Sequence, residues 1–357
     1  MENPDKKRIL VRAPSSKSLV IRSFPFFHQL KNEFPDAEIH VVLGQEITNF
    51  FPLLPFSSTL QVHPLPVEKN SLPGIHHFAY NLHDVFNVDL FFDLDDNFKS
   101  AFLGLTFRCK ERVGFATGLN KLFLTKSYEP RIKPLAPDAH RVDLLERFLG
   151  KKFGAFKVAG VEKKVEEDDS SSLVEKSKED NPFQELAPPP FLFVVISDLS
   201  QEKNKVAFWE EFFDGFVGIE FKVLSFCQDI SAFYDFIKRQ QKKNKFHVLS
   251  MNGLDDLKKE ILDAQGVVAD DLTWAEVGHY LGKKSFAFVD VPPFKKDGER
   301  ERKNHGIDIY RAEHFALLSV IFYTMPDGHR YVLKNNELMP LDEQQHPVDI
   351  IHENINL

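Results

Sequence analysis

Three aspartates follow one buried strand, and they are the residues of this sequence best suited to acid–base chemistry. The mostly apolar run Val88 to Phe92 predicts a strand of a parallel sheet, and Asp93, Asp95 and Asp96 come directly after it. Open α/β sheets bind ligands beyond the carboxyl ends of their strands, where a carboxylate can accept a proton from a bound hydroxyl group. We therefore expect these aspartates to lie at a ligand-binding edge of the sheet. The structural alternative is a polar strand end without a chemical role.

The elements around these aspartates predict a βαβ unit that opens a doubly wound domain. Asn97 can cap a helix from Lys99 to Phe107, and Arg112 to Phe115 predicts the next strand. Upstream, the strand Arg8 to Arg12 leads into a loop of small residues and an amphipathic helix. Two further strands are predicted at Glu38 to Leu43 and Leu60 to Leu65.

Strands and helices alternate again after residue 190, which predicts a second domain of the same class. The expected division is an N-terminal domain at 1–160, a linker at 161–190, a second domain at 191–330 and a tail at 331–357. The linker is charged, rich in serine and closed by three prolines, so it is expected to be flexible. The last helix is predicted at Arg311 to Tyr323.

Composition excludes several classes of protein. A net charge of −8 over 357 residues disfavours a nucleic-acid partner. The two cysteines exclude a disulfide framework, and no zinc-binding spacing is present. Without a secretory signal or a spanning apolar segment, the expected location is the cytoplasm, with peripheral contact to the inner membrane through basic patches.

A longer motif now becomes apparent around the aspartates. Asp93, Leu94, Lys99, Ser100 and Ala101 form a D-L-x-x-x-x-K-S-A run, which is followed by R-x-G-F at residues 112–115. Leu122 to Thr125 and the helix with His140, Val142 and Asp143 follow in matching order. This stretch resembles the N-terminal signature of the bacterial heptosyltransferase family, glycosyltransferase family nine. The resemblance implies an α/β fold of GT-B type, with two Rossmann-like domains whose parallel sheets face each other across a cleft.

On the acceptor side the family has a P-G-x-x-G-D loop, whose aspartate is the proposed general base. Pro14 and Pro25 keep the proline spacing, and this register puts Leu19 in place of that aspartate. Because a leucine cannot accept a proton, either the base lies elsewhere, at Asp93 or Asp95, or activity is lost. The expected acceptor-binding residues are Ser15, Ser16, Lys17, Ser18, Lys99 and Arg112. Local ion pairs of Lys99 and Arg112 with Asp93, Asp95 or Glu111 are the alternative.

On the donor side the family has a D-T-G-P-x-H motif and a lysine that neutralises the leaving diphosphate. The equivalent residues are Asp271, Thr273 and Glu276, with Lys205 as the lysine. The alternative for Lys205 is a solvated lysine near the start of a helix. Threonine in place of glycine hinders close approach of a phosphate, and glutamate in place of histidine adds a repulsive charge. The favoured structural alternative is a capping box, with Thr273 as N-cap and Glu276 at N3.

The resemblance implies an inverting, metal-independent glycosyltransferase that acts in lipopolysaccharide biosynthesis. It would move a sugar from a nucleotide diphosphate donor, with ADP-heptose as the candidate, to an anionic glycolipid such as a lipopolysaccharide core or another cell-envelope glycan. No cofactor or metal is expected. The degenerate active-site positions motivate the alternative of an inactive relative that acts as a binding or scaffolding module. A nucleotide-sugar epimerase would share the architecture, but no motif specific to one is present.

Overall fold

The computed structural model describes residues 7–83, 88–130, 137–154, 190–197, 199, 203–250, 254–290, 320–324, 330–334, 337–341 and 346–355. The predicted linker, apart from Pro190, lies outside these residues. No helix within the described part of the chain combines the length and apolar character needed to cross a bilayer.

The first domain is built on a six-stranded parallel sheet with the strand order β3-β2-β1-β4-β5-β6. Its strands are β1 Arg8–Arg12, β2 Glu38–Gly44, β3 Leu60–Leu65, β4 Leu90–Asp93, β5 Glu111–Phe115 and β6 Lys126–Tyr128. Its α-helices are α1 Lys17–Arg22, α2 Phe24–Glu33, α3 Leu72–His83, α4 Phe98–Thr106 and α5 Pro137–Leu149. Short 3-10 helices include Gln45–Leu53 and Gly118–Phe123. The chain reverses direction across the sheet between β1 and β4, so these neighbouring strands leave a crevice at their carboxyl ends.

The second domain repeats this plan with an eight-stranded sheet in the order β14-β13-β12-β11-β10-β7-β8-β9. The strands are β7 Phe191–Ile196, β8 Glu220–Ser225, β9 Lys245–Leu249, β10 Gly266–Ala269, β11 Lys284–Asp290, β12 Val320–Thr324, β13 Arg330–Lys334 and β14 Glu337–Pro340. The helices are α6 Lys203–Gly215, α7 Ile230–Gln240, α8 Leu254–Asp263, α9 Leu272–Tyr280 and α10 Pro347–Asn354. The reversal falls between β7 and β10. The predicted architecture of two Rossmann-like domains is confirmed.

The end of the chain differs from the sequence-based expectation. Residues 320–323 of the predicted Arg311 to Tyr323 helix belong to β12, which pairs with β11 and β13, while residues 311–319 lie outside the described part. The run V-I-F-Y-T consists of β-branched and aromatic residues, which fit a sheet better than a helix. Two strands and α10 also fall after residue 330, where a tail was expected, and β13 and β14 extend the second sheet in antiparallel fashion.

The two domains share part of one hydrophobic core. A single cluster of buried side chains joins Phe24 and Phe51 of the first domain to Trp274 and Val277 of α9. The rings of Phe24 and Tyr280 lie 4.9 Å apart, and those of Phe50 and Trp274 lie 5.7 Å apart. Helix α9 therefore packs between its own sheet and α1 of the first domain.

Candidate functional site

Asp95 lies at the β1/β4 crevice and connects three elements of the first domain. Its Oδ1 accepts hydrogen bonds from the Ser15 main-chain N–H at 2.7 Å and from the Ser15 hydroxyl at 2.9 Å. Its Oδ2 accepts from Asn97 Nδ2 at 2.8 Å and from Arg12 Nη2 at 3.4 Å. The carboxylate thus lies directly against the loop after β1, where the sequence predicted acceptor binding. An ionised carboxylate beside an exposed serine hydroxyl can accept a proton from a bound alcohol.

Arg12 is a residue of this site that sequence reasoning missed. It ends β1, it is buried, and besides Asp95 it contacts the Val42 carbonyl oxygen at 3.3 Å. The guanidinium provides a positive charge at the sheet edge and pairs there with the Asp95 carboxylate. A charged residue that closes the apolar run R-I-L-V-R was the signal available in the sequence.

Asp93 lies below Asp95 and is 1% exposed. Its Oδ2 accepts from the Ser100 hydroxyl at 2.9 Å, and its Oδ1 accepts from the Asp95 main-chain N–H at 3.1 Å. Burial raises the pKa of Asp93 to about 8, with the negative charge of Asp96 adding to the effect, while the hydrogen bond from Ser100 opposes it. The Asp93 carboxyl is therefore mostly protonated at neutral pH, and its hydrogen bond from the Asp95 N–H holds the main chain of the acidic turn.

The helix that follows the acidic turn is capped as the sequence predicted. The Asn97 side chain accepts from the Ser100 N–H at 2.9 Å, and the Ser100 hydroxyl accepts in return from the Asn97 N–H at 3.1 Å. Two free N–H groups at the start of α4 are satisfied in this way.

The remaining predicted acceptor residues divide into exposed and internally bonded groups. Ser16 and Lys17 are exposed at the start of α1, and Ser18 lies in α1 with a side chain outside the described part. Lys99 is exposed and donates to the Asn70 carbonyl oxygen at 3.0 Å. Arg112 donates instead to the carbonyl oxygens of Phe123 and Cys109, each at 2.6 Å. The described contacts of Lys99 and Arg112 therefore do not include the ion pairs weighed as an alternative.

Asp270 makes in the second domain the same kind of hydrogen bond that Asp95 makes in the first, to a main-chain N–H that follows the first strand of the domain. It follows β10 at the β7/β10 crevice, and its Oδ1 accepts from the Ser197 main-chain N–H at 2.7 Å. Burial raises the pKa of Asp270 to about 6, whereas the Ser197 hydrogen bonds and the nearby Lys205 charge oppose this rise. Lys205 therefore lies near a carboxylate at the carboxyl edge of the second sheet. The sequence contained the signal for Asp270, since an acid after the buried run G-V-V-A repeats the pattern at Asp93.

Asp271, and not Thr273, caps α9. The Asp271 side chain accepts from the N–H groups of Thr273 at 2.7 Å and Trp274 at 3.4 Å. The predicted capping box with Thr273 as N-cap is therefore wrong, because the helix begins at Leu272, two residues earlier than this cap requires, and Thr273 lies inside its first turn. An aspartate accepts strongly from N–H groups at this end of a helix because the helix dipole favours a negative charge there.

Glu276 forms a buried ion pair with Arg22 of the other domain. Arg22 Nε donates to Glu276 Oε1 at 2.6 Å, and Arg22 Nη2 also contacts this oxygen. The Glu276 side chain is 0% exposed and the Arg22 side chain is 3% exposed. Beside this pair, His28 Nε2 lies 2.8 Å from the Tyr280 hydroxyl. The repulsion expected between Glu276 and an anionic donor is consequently offset by the Arg22 charge.

The structure therefore places the predicted residues in separate contacts and not in one cluster, and some of their partners were not predicted. Asp95 contacts Ser15, Lys205 lies near Asp270, Asp271 caps the turn that contains Thr273, and Glu276 binds Arg22. Within the described ranges, no group of three or more His, Cys, Asp or Glu side chains could hold a metal ion.

Comparisons with known proteins agree with the fold. No protein-family model and no curated protein matches the chain in sequence. Among solved structures, the chain is similar to the E. coli heptosyltransferase WaaC with ADP-2-deoxy-2-fluoro heptose, with a TM-score of 0.57, 15% identity, and coverage of 82% of this chain and 91% of that one. A family 9 glycosyl transferase from Veillonella parvula gives 0.58 and 16%, with 82% and 83% covered. E. coli ADP-heptose lps heptosyltransferase II gives 0.53 and 15%, with 80% and 86% covered. The resemblance seen in the sequence is thus confirmed at the level of structure: the chain has the GT-B fold of the heptosyltransferases.

Proposed function

We propose that this protein is a glycosyltransferase that moves a sugar from a nucleotide diphosphate donor to an anionic glycolipid acceptor. The main observation behind this proposal is that each sheet has a carboxylate at its crevice, Asp95 in the first and Asp270 in the second. Each carboxylate accepts a hydrogen bond from the main chain of the first loop of its own domain. Helix α9, which follows the second crevice, packs against α1, which follows the first loop, and this contact links the two edges. The names of the structural neighbours support transfer over the inactive alternative, and they make ADP-heptose the first donor to test.

In this proposal Asp95 is the general base. The acceptor hydroxyl binds beside Ser15, and Asp95 takes its proton as the acceptor oxygen bonds to the anomeric carbon of the donor sugar. The bond from that carbon to the diphosphate breaks in the same displacement, which inverts the configuration. Arg12 positions the Asp95 carboxylate through their ion pair.

Lys205 stabilises the leaving group at the other edge. It lies in the first turn of α6, where the helix dipole adds to its positive charge. Negative charge develops on the diphosphate as the sugar leaves, and a fixed cation at this place lowers the barrier without a metal ion. The acceptor is expected to be a lipopolysaccharide core or another cell-envelope glycan, with phosphate groups near Lys17 and Lys99.

The test is sugar transfer by the purified full-length protein, with ADP-heptose as donor and heptose-deficient lipopolysaccharide as acceptor. Asp95→Asn is expected to lower kcat by ~10² to 10⁴ because the base is lost. Lys205→Ala is expected to lower kcat by ~10². The matched controls are Asp36→Asn and Lys242→Ala, which change exposed residues; Asp36 lies just before β2, at the opposite end of the sheet.

The same experiment distinguishes the inactive alternative. Full activity in Asp95→Asn would refute the role of this carboxylate. Donor binding without transfer or hydrolysis, in wild type and in Leu19→Asp alike, would indicate a binding module instead of an enzyme.

A further inference from the structure

Two leucines of the 3-10 helix Gly118–Phe123 project into solvent. Leu119 is 66% exposed and Leu122 is 74% exposed. A 3-10 helix has three residues per turn, so side chains three positions apart lie on the same side. The two leucines therefore form one apolar projection on the surface of the first domain.

The exposure of these leucines is imposed by the residues between and after them. Asn120 is buried, its Nδ2 donates to the Phe115 carbonyl oxygen at 2.8 Å, and its Oδ1 accepts from the Thr117 N–H at 2.8 Å. The Phe123 ring packs 4.9 Å from Phe98 and 5.7 Å from Phe102 of α4. Because these contacts anchor the opposite side of the turn, the leucines cannot rotate into the core. Apolar side chains held in water by the fold indicate an interaction surface.

The surroundings of the projection are apolar and basic. Helix α4 packs against this 3-10 helix and exposes a third leucine, Leu105, at 38%. Residues 97–130 carry two acidic residues and six basic ones, a net charge of +4 in a chain of −8. Lys121, between the two leucines, remains 61% exposed although it pairs with Glu129. This local positive charge, opposite in sign to the whole chain, favours an anionic partner.

The projection lies close to the candidate acceptor loop. Its 3-10 helix follows β5 at the carboxyl edge of the first sheet, and the Thr117 hydroxyl donates to the Asp96 carbonyl oxygen at 2.5 Å. The acidic turn with Asp95 is thus bonded to the segment that carries the leucines. A surface that binds the leucines would therefore lie beside the opening of the crevice.

We propose that Leu119 and Leu122 insert into the surface of an anionic membrane, with Lys99 and Lys121 contacting its headgroups. Leucines that enter the interfacial region and lysines that bind anionic lipid are the two contributions that hold peripheral proteins on bilayers. This arrangement would present a membrane-anchored glycolipid to the loop of Ser15. The binding itself does not require transfer activity, so it can be tested independently of the proposed function.

The experiment is co-sedimentation of the full-length protein with phosphatidylcholine vesicles, with and without phosphatidylglycerol. Binding is expected only with phosphatidylglycerol, and it should weaken as salt rises, because ions screen the lysines. The Leu119→Ser, Leu122→Ser double variant should bind about tenfold or more weakly, since two apolar side chains no longer leave water. The matched control is Val217→Ser, which changes a residue of the second domain that is 77% exposed.

Each other outcome overturns the proposal. Absence of vesicle binding by wild type rules out the membrane surface. Equal binding to both vesicle types refutes the electrostatic part, and equal binding by the double variant and wild type refutes the role of the leucines. Lys99→Glu tests the lysine contribution separately, and it should lower binding to anionic vesicles without changing the melting temperature.

Discussion

Replacing Asp93 with asparagine is expected to remove a pH dependence of stability between pH 6.5 and pH 8. In the folded protein burial raises the pKa of Asp93 from 3.8 to about 8. The folded state therefore holds a proton that the unfolded chain releases, so this carboxyl destabilises the fold progressively as pH rises from about 4 to about 8. The full cost above that range is about 6 kcal/mol, because each pKa unit corresponds to about 1.4 kcal/mol.

The comparison of wild type with Asp93→Asn separates the effect of Asp93 from the titration of the other buried groups. Burial lowers the pKa values of His28 and His40 from 6.5 to about 4, so these histidines stabilise the fold increasingly as pH rises from about 4 to 6.5. Asp270, with a pKa of about 6, changes in the opposite direction over nearly the same interval. At pH 6.5 the histidines of the unfolded chain are still half protonated, so His28 and His40 continue to stabilise the fold above that pH and partly offset the effect of Asp93. Asp93 itself is expected to lower the free energy of unfolding by about 1 to 2 kcal/mol from pH 6.5 to pH 8.

The measurement is urea unfolding of wild type and Asp93→Asn at the two ends of this range, with Asp36→Asn as the control for loss of an exposed carboxylate. As pH rises, wild type and the control should lose about 1 to 2 kcal/mol of stability relative to Asp93→Asn. If the pH response of the Asn variant equals that of wild type, the pKa of Asp93 is not raised and its carboxyl is not enclosed as described.

Three further predictions concern the contacts around the two crevices. Arg22→Ala or Glu276→Ala should each lower the free energy of unfolding by about 3 to 5 kcal/mol, because the remaining charge stays buried. The Arg22→Met, Glu276→Leu double variant should lose far less stability, because no unpaired charge remains. Urea unfolding measures all three variants, and equal losses would contradict this account. Protonation of Asp270 as pH falls through about 6 leaves the Lys205 charge without compensation. The affinity of wild type for ADP, measured by calorimetry, should therefore rise below that pH, and Asp270→Asn should show no such rise. A Cβ at Gly104 would lie 2.3 Å from the buried Phe91 ring, so Gly104→Ala should lower stability by about 1 to 3 kcal/mol. Gly154→Ala should not lower stability, because a Cβ there meets nothing within 4 Å. Similar melting temperatures for the two variants would argue against this packing.

Local sequence determined the strands and the first functional edge. The runs at Arg8 to Arg12, Leu60 to Leu65 and Phe191 to Ile196 form strands with the predicted bounds, because apolar β-branched and aromatic residues favour buried strands. Asn97 caps α4 through Ser100, three residues later, so that contact too is encoded locally. Aspartates after an apolar strand were sufficient to locate the β1/β4 crevice, since parallel strands share one carboxyl edge.

Tertiary structure decided which partner each functional side chain has. Arg22 and Glu276 are 254 residues apart, and no local pattern relates them, because their pairing depends on how the two domains pack at α9. The same holds for Asp95 with Ser15, separated by 80 residues, and for Asp270 with Ser197, separated by 73. Residues 320–323 form a strand for a similar reason: hydrogen bonds to β11 and β13 can only form after both neighbours are in place. Sequence encodes which surfaces are apolar and where the chain turns, whereas the pKa values and ion pairs of the crevices arise from burial among residues that the chain brings together only on folding.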